Sequence, residues 1–339
     1  MGRVVLVTGV AGDLGRRFAR RLAEHPDIER VVGVDVTPPK LGVGRMQFVR
    51  ADIRNPVIAK VMIREQVDTV VHAAVASRPA PGGSGSMKEL NVIGTMQLLA
   101  ACQQAPQLRH LVVRSSTAVY GASNRDPAMF VEGMNARRAP RTGFPKDVGE
   151  VESYVRGFAR RRPDVRVTTL RMANMMGPIV YSPLTAYFRL PLVPTVLGFD
   201  PRLQFLHEHD AHGALERATL HDVPGTFNIA GDGVMMLSQA VRRLGKPALP
   251  LPPFAVSAFG STVGQAKRVD FSPEQVAFLT YGRGVDNTRM RTELGYEPVY
   301  STEQAFDDFA AGIKPGVLRA DRVRAAETTL VRALSGGAG

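Results

Sequence analysis

Thr8-Gly9-Val10-Ala11-Gly12-Asp13-Leu14-Gly15 spaces three glycines as needed to hold a pyrophosphate against the start of a helix. Gly9 would permit the tight turn, Gly12 the close approach of backbone to phosphate, and Gly15 the packing of helix on strand. Free N–H groups at the helix start, on Asp13, Leu14 and Gly15, would donate to the phosphate oxygens. The Asp13 carboxylate would repel a pyrophosphate, so its side chain is expected to point away and cap the helix. Asp35 follows Gly15 by twenty residues (35 − 15) and ends the next strand pattern. A carboxylate there accepts hydrogen bonds from both adenosine ribose hydroxyls and repels a 2′-phosphate, which favours NAD over NADP. Arg16 and Arg17 keep NADP open as the lesser alternative.

Leu206-His207-Glu208-His209-Asp210-Ala211-His212 collects the right side chains for a metal. Its spacing is not the His-Glu-x-x-His of a zinc helix, and no metal is expected. Cys102 is the only cysteine, which excludes an internal disulfide and a cysteine-based zinc site.

Positioning these groups takes alternating strands and helices. Apolar strand runs at Arg3–Thr8, 31–36, 46–50, Thr69–His72, 109–115 and 165–171 alternate with helical patterns at 14–23, 56–65, 87–104 and 151–162. Such alternation predicts an α/β fold, a Rossmann-type doubly wound parallel sheet, with a smaller C-terminal substrate-facing lobe. The boundaries drawn are 1–177 for the nucleotide-binding domain and 178–312 for the lobe, interleaved with the last sheet elements. Residues 313–339 would form a terminal helix at 317–334 and a frayed tail. The run 78–86, rich in Pro, Gly and Ser, either lies over the cofactor or is a surface excursion.

Composition narrows the class. The chain has 339 residues, 44% hydrophobic and 22% charged, as in an ordinary globular protein. No stretch approaches the roughly 20 apolar residues that span a bilayer, and no membrane association is expected. The start runs directly into a strand without a cleavable signal, which gives a cytoplasmic protein as the plain reading. Net charge is +12, mostly arginine. Without a nucleic-acid motif or aromatic interleaving, nucleic acid is not an expected partner. An anionic small molecule accounts for part of the charge.

Several further motifs stand in order behind the glycine loop. They are Ala51-Asp52-Ile53, His72-Ala73-Ala74, Asn91-Val92-Ile93-Gly94-Thr95, Ser115-Ser116-Thr117-Ala118-Val119-Tyr120-Gly121, residues 170–178 around Asn174, and Glu293-Leu294-Gly295-Tyr296-Glu297-Pro298. Together with the loop and Asp35 they resemble the extended short-chain dehydrogenase/reductase family, the NAD-dependent epimerase/dehydratases, over residues 3–312. The resemblance implies that Asp52 and Ile53 frame the adenine, and that Ala73, Ala74, Asn91 and Ser115 add to the cofactor site. It implies Asn174 as a substrate contact, and a homodimer built from helix pairs near 87–104 and 151–162. The segment 206–212 resembles a family strand-turn that ends a strand and caps the next helix, which implies Asp210 as N-cap of a helix over residues 211–220. Where nucleotide-sugar members carry a diphosphate-binding arginine this chain has Leu203, so Arg202 next to it becomes the substrate-binding candidate.

In that family a Ser/Thr, a Tyr and a Lys move a proton while nicotinamide exchanges hydride. Ser116 falls at the Ser/Thr position. Glu150 and Glu152 set a register that places Phe144 where Tyr is expected and Val148 where Lys is expected. Phenylalanine has no proton to exchange, and valine cannot lower a neighbour's pKa. No Tyr-x-x-x-Lys occurs anywhere in the chain. Two readings stay open. One is an oxidoreductase or epimerase/dehydratase acting on a hydroxyl or keto carbon, with a nucleotide sugar among the candidate substrates. Lys146, Asp147, Tyr120 or Tyr181 would then replace the missing donor. The other is a protein that binds NAD without turnover, as sensor or scaffold.

Overall fold

The computed structural model describes residues 2–39, 44–75, 87–262 and 269–313; the run 78–86 and the expected helix 317–334 lie outside them. The first strand, Arg3–Thr8, is buried from Val4 onward. Its side chains alternate between faces, and both faces are covered. Val5 and Val7 enter one hydrophobic layer, Val4 and Leu6 the other.

The elements that position the site run in this order: β1 (Arg3–Thr8), α1 (Asp13–Leu22), β2 (Ile28–Asp35), β3 (Gln47–Arg50), α2 (Val57–Arg64), β4 (Thr69–His72), α3 (Gly94–Gln103), β5 (His110–Ser116), α4 (Gly143–Arg161), β6 (Arg166–Met172), β7 (Asn174–Met176), α5 (Pro183–Phe188), β8 (Val193–Val196), β9 (Arg202–Leu203), β10 (Phe205–His207), α6 (Glu208–Leu220) and β11 (Gly225–Ile229). Seven strands form one sheet in the order β11-β6-β5-β4-β1-β2-β3, every neighbouring pair parallel. Strand order reverses on either side of β1, the crevice where such sheets bind ligands. Phe18 and Leu22 of α1, with Ala211 and Leu215 of α6, cover one face. Ile58, Leu98, Val151 and Phe158, from α2, α3 and α4, cover the other.

The main departure from the sequence reading is the start of α4. It begins at Gly143 and not at 151, so Phe144 to Val148 are helical. Pro145 does not delay the start, because an N–H in the first turn has no intrahelical partner to lose. Beyond β6 the chain builds a lobe from short pairings: β10 with β7, β9 with Met235–Met236, and β8 with Ala248–Leu251. Tyr187, Phe188, Phe205, Phe306 and Phe309 fill its core, with Phe188 edge-on to Phe306 at 5.1 Å. No helix among the described residues is long and apolar enough to cross a membrane.

Candidate functional site

A cavity of about 520 Å³ opens beyond the carboxyl ends of β1, β2 and β4. Gly9, Gly12, Asp13, Leu14, Gly15, Asp35, Asp52, Ile53, Ala73, Ala74 and Asn91 all line it. Gly9 has φ +79°, and a Cβ there would lie 2.7 Å from the Ala74 Cα. A Cβ on Gly15 would run into the Gly9 carbonyl oxygen. Only glycine lets the loop close this tightly, leaving the first-turn N–H groups of α1 facing open space. Asp35 ties the loop to β2, its carboxylate accepting from the Ala11 N–H at 2.9 Å and the Val36 N–H at 2.8 Å. Burial pushes this carboxyl above the usual range, against the pull of those backbone donors. Asp52 is held below the usual range by the Arg54 guanidinium, which bonds it at 2.6 to 3.0 Å. Ile53 packs over Gly94, where a Cβ would lie 2.8 Å from the Ile53 Cδ1. This cradle and donor set fit a dinucleotide.

Asp13 corrects one expectation. It is the first residue of α1, the N-cap is Gly12, and no side chain caps the helix. The exposed carboxylate pairs with Arg16 one turn on, at 2.8 Å. Its carboxylate is engaged in an ion pair instead of a cap.

A second cavity of about 260 Å³ adjoins the first, and Arg114, Met175 and Ser182 line both. Ser116, Asn174 and Phe144 stand in its wall. Ser116 ends β5 and caps the short turn Thr117–Tyr120, its Oγ accepting from the Ala118 N–H at 3.1 Å. Its own proton remains available to donate. Ser115 lines this second cavity and not the glycine-loop one. Its hydroxyl donates to Glu152 Oε1 at 2.6 Å, within the buried Glu152–Arg171 pair, so its side chain is committed away from the cofactor cavity.

Phe144 faces the cavity, and Val148, one turn later on the same helix face, is fully buried against the sheet. Lys146, two residues from Phe144, points to the opposite side by the 100° step of a helix. It is 43% exposed, pairs with Glu150 at 3.7 Å, and lines neither cavity. That placement removes Lys146 as the replacement donor. Asp147 is buried beside the Asn91 side chain, its carboxyl pushed up by burial, and also reaches neither cavity. Tyr120 is excluded as well. The turn that Ser116 starts carries it into the core, where its ring stacks on Phe130 at 4.5 Å. Its hydroxyl donates to Asn228 Oδ1 and accepts from Arg171 Nη1, both at 2.8 Å. Tyr181, by contrast, lines the glycine-loop cavity.

Arg202 is exposed on β9, outside both cavities. Only its carbonyl approaches the site's framework, by accepting from the Arg283 N–H at 3.0 Å. Arg283 enters the second cavity in its stead, with Nη1 on the Gly121 carbonyl at 2.6 Å and its guanidinium over Phe278 at 4.9 Å. Arg114 was equally unannounced, because its strand reads as a plain apolar run. Burial lowers both guanidinium groups to about 10.

The histidine-rich segment disperses. His207, not Asp210, is the N-cap of α6, its Nδ1 accepting from the His209 N–H at 3.1 Å. Asp210 is fully buried in the first turn and accepts from the Tyr296 hydroxyl and the Val299 N–H, both at 2.9 Å. Asp210 lies within the first turn of the helix, which starts at Glu208, so the capping position falls to His207. His212 lines the glycine-loop cavity, its Nδ1–H donating to the Glu208 carbonyl at 2.7 Å.

The profile of the NAD dependent epimerase/dehydratase family matches residues 5–230. An uncharacterised protein of Mycobacterium tuberculosis is 53% identical over 315 residues, covering 91% of this chain and 84% of its own length. Among solved structures, the UDP-glucuronic acid 4-epimerase of Bacillus cereus, in complex with UDP-glucuronic acid and NAD, superposes with a TM-score of 0.68 at 20% identity. The match covers 91% of this chain and 98% of that one. A tyrosine-to-phenylalanine variant of the same enzyme, with UDP-4-deoxy-4-fluoro-glucuronic acid and NAD, gives 0.67 at 20% identity and the same coverage.

Proposed function

From its membership in the NAD dependent epimerase/dehydratase family, to which this chain belongs, we propose that it holds NAD in the glycine-loop cavity and a nucleotide-sugar-type ligand beside it. It acts on a hydroxyl or keto carbon of that ligand without the family's tyrosine–lysine pair. The observation that carries the reading is the meeting of the two cavities at the end of β5, where Arg114, Met175 and Ser182 belong to both walls. A ligand in the smaller cavity then abuts the end of the cofactor farther from Asp35. Bound NAD would supply hydride exchange at a carbon. The chain supplies Ser116, whose free proton can hold the reacting oxygen, and Tyr181, the tyrosine in the wall of the cofactor cavity, as the proton donor. In the Bacillus cereus enzyme a tyrosine-to-phenylalanine variant holds both a nucleotide sugar and NAD. A missing tyrosine hydroxyl there is compatible with binding of both.

The test is reduction of protein-bound NAD by a panel of nucleotide sugars, followed by absorbance of the reduced nicotinamide. Ser116→Ala and Tyr181→Phe should each slow it by about a hundredfold. Unchanged turnover in either variant would take that residue out of its role.

A specific observation favours a second reading, binding without turnover. Phe144 occupies the cavity wall, Val148 is sealed in the core, and Lys146 and Tyr120 are both turned elsewhere. Tight NAD binding with no reduction by any of the panel would decide for that reading.

A further inference from the structure

We infer that Arg114 binds an oxyanion, a carboxylate or phosphate, carried on the part of the second ligand presented to the cofactor, so that the site selects an acidic substrate over a neutral one. The inference rests on the reading of two adjoining ligand cavities.

Arg114 belongs to β5, directly before Ser115 and Ser116. The neighbouring strand β4 ends at His72, which pairs with Val113. Arg114 is therefore the first residue of β5 past the end of the shorter strand, and it opens onto both cavities. Its one hydrogen bond among the described residues runs from Nη1 to the Val75 carbonyl at 2.7 Å. No carboxylate of the described residues offsets its charge, and burial alone sets its lowered pKa of about 10. Arg171, the register partner of Ser115 on the next strand, shows what this fold does with an arginine it neutralises. Glu152 grips that guanidinium with two bonds, at 2.9 and 2.7 Å.

A desolvated guanidinium without a counter-charge is costly, and a planar fork of N–H donors matches a carboxylate or phosphate. The cofactor's own pyrophosphate is not the missing partner. It would sit at the glycine loop after β1, and β4 separates β1 from β5 in the sheet. Two strand spacings amount to about 10 Å. The oxyanion is placed on the second ligand, in the cavity that Arg114 shares with Ser116.

The experiment uses the full chain loaded with NAD and calorimetric titration with UDP-glucuronic acid and UDP-glucose. Wild type should bind the acidic sugar nucleotide at least about tenfold more tightly, the value of one charge-assisted pair. Arg114→Gln should abolish the difference and Arg114→Lys should keep part of it, each variant being titrated at saturating NAD. Equal affinity of the two sugar nucleotides for wild type, or a preference that survives in both variants, overturns the inference. Glucuronate, glucose 1-phosphate and glucose, titrated alone, separate it from the reading beneath it. Arg114-dependent binding of either anion but of neither nucleotide sugar would remove the nucleotide-sugar reading and leave the oxyanion site, and the anion that binds tells carboxylate from phosphate. Binding of neither anion, with NAD still bound and no nucleotide sugar taken up, sinks the oxyanion site itself.

Discussion

Phe144 and Val148, the residues that the sequence register sets at the family's tyrosine and lysine positions, differ in what a restored pair would cost. Phe144 is half-buried at the cavity wall, so a tyrosine hydroxyl there has open space to reach into. Phe144→Tyr should change stability by less than about 1 kcal/mol in a denaturant titration. Val148 is fully buried among Val151 and Val155. Val148→Lys would bring an ammonium into that layer without a partner, at a cost on the order of 3–5 kcal/mol, read as a lower midpoint in the same titration. A mild effect would show that the lysine finds the cofactor cavity. Asp35 makes a pH-dependent prediction. Its carboxyl titrates above the ordinary 3.8 because of burial, and only the ionised form accepts freely from ribose hydroxyls. NAD affinity should therefore weaken as pH falls through that raised value. Asp35→Asn should flatten the profile and narrow the preference for NAD over NADP.

At the scale of the element, helix α4 shows both what sequence could tell and what it could not. Its core stripe, Val151, Val155 and Phe158, gives a helical period, and Phe144, the residue the Glu150–Glu152 register points to, stands in a cavity wall. The start at Gly143 was hidden, since Gly143 and Pro145 read as breakers until the first-turn geometry is known. The loop–helix unit β1–α1 was legible because a buried strand, three glycines and an amphipathic helix adjoin in sequence. Tyr120 was not, since Asn228 and Arg171, the partners that bury it, lie 108 and 51 residues away. Arg114 hid for the same reason: one charge after an apolar run says nothing of the cavities that strand lengths create. Glycines in these elements should diverge under substitution. Gly149 lies inside α4 with nothing within 4 Å of a built Cβ, so Gly149→Ala should stabilise the protein by about 1 kcal/mol, seen as a raised Tm.

For the molecule as a whole, acid stability should follow two buried histidines. His72 is fully buried between the hydroxyls of Thr8 and Thr95, each at 2.8 Å, and burial lowers it from 6.5 to about 4. His110 is lowered likewise, to about 4, mainly by burial. Between those values the unfolded chain binds protons that the folded chain refuses. Stability is therefore full above about pH 6.5 and falls as pH drops toward 4, by about 1.4 kcal/mol per pH unit for each histidine. Denaturant titrations across that range check it, and His72→Gln should shallow the slope. The central claim, that this whole arrangement exists to seat NAD, is most directly tested by native mass spectrometry of the purified protein with added cofactor. One NAD per chain, weaker NADP, and no cofactor on a folded Gly15→Ala variant is the predicted result. A wild-type protein that takes up neither NAD nor NADP at millimolar concentration would contradict it.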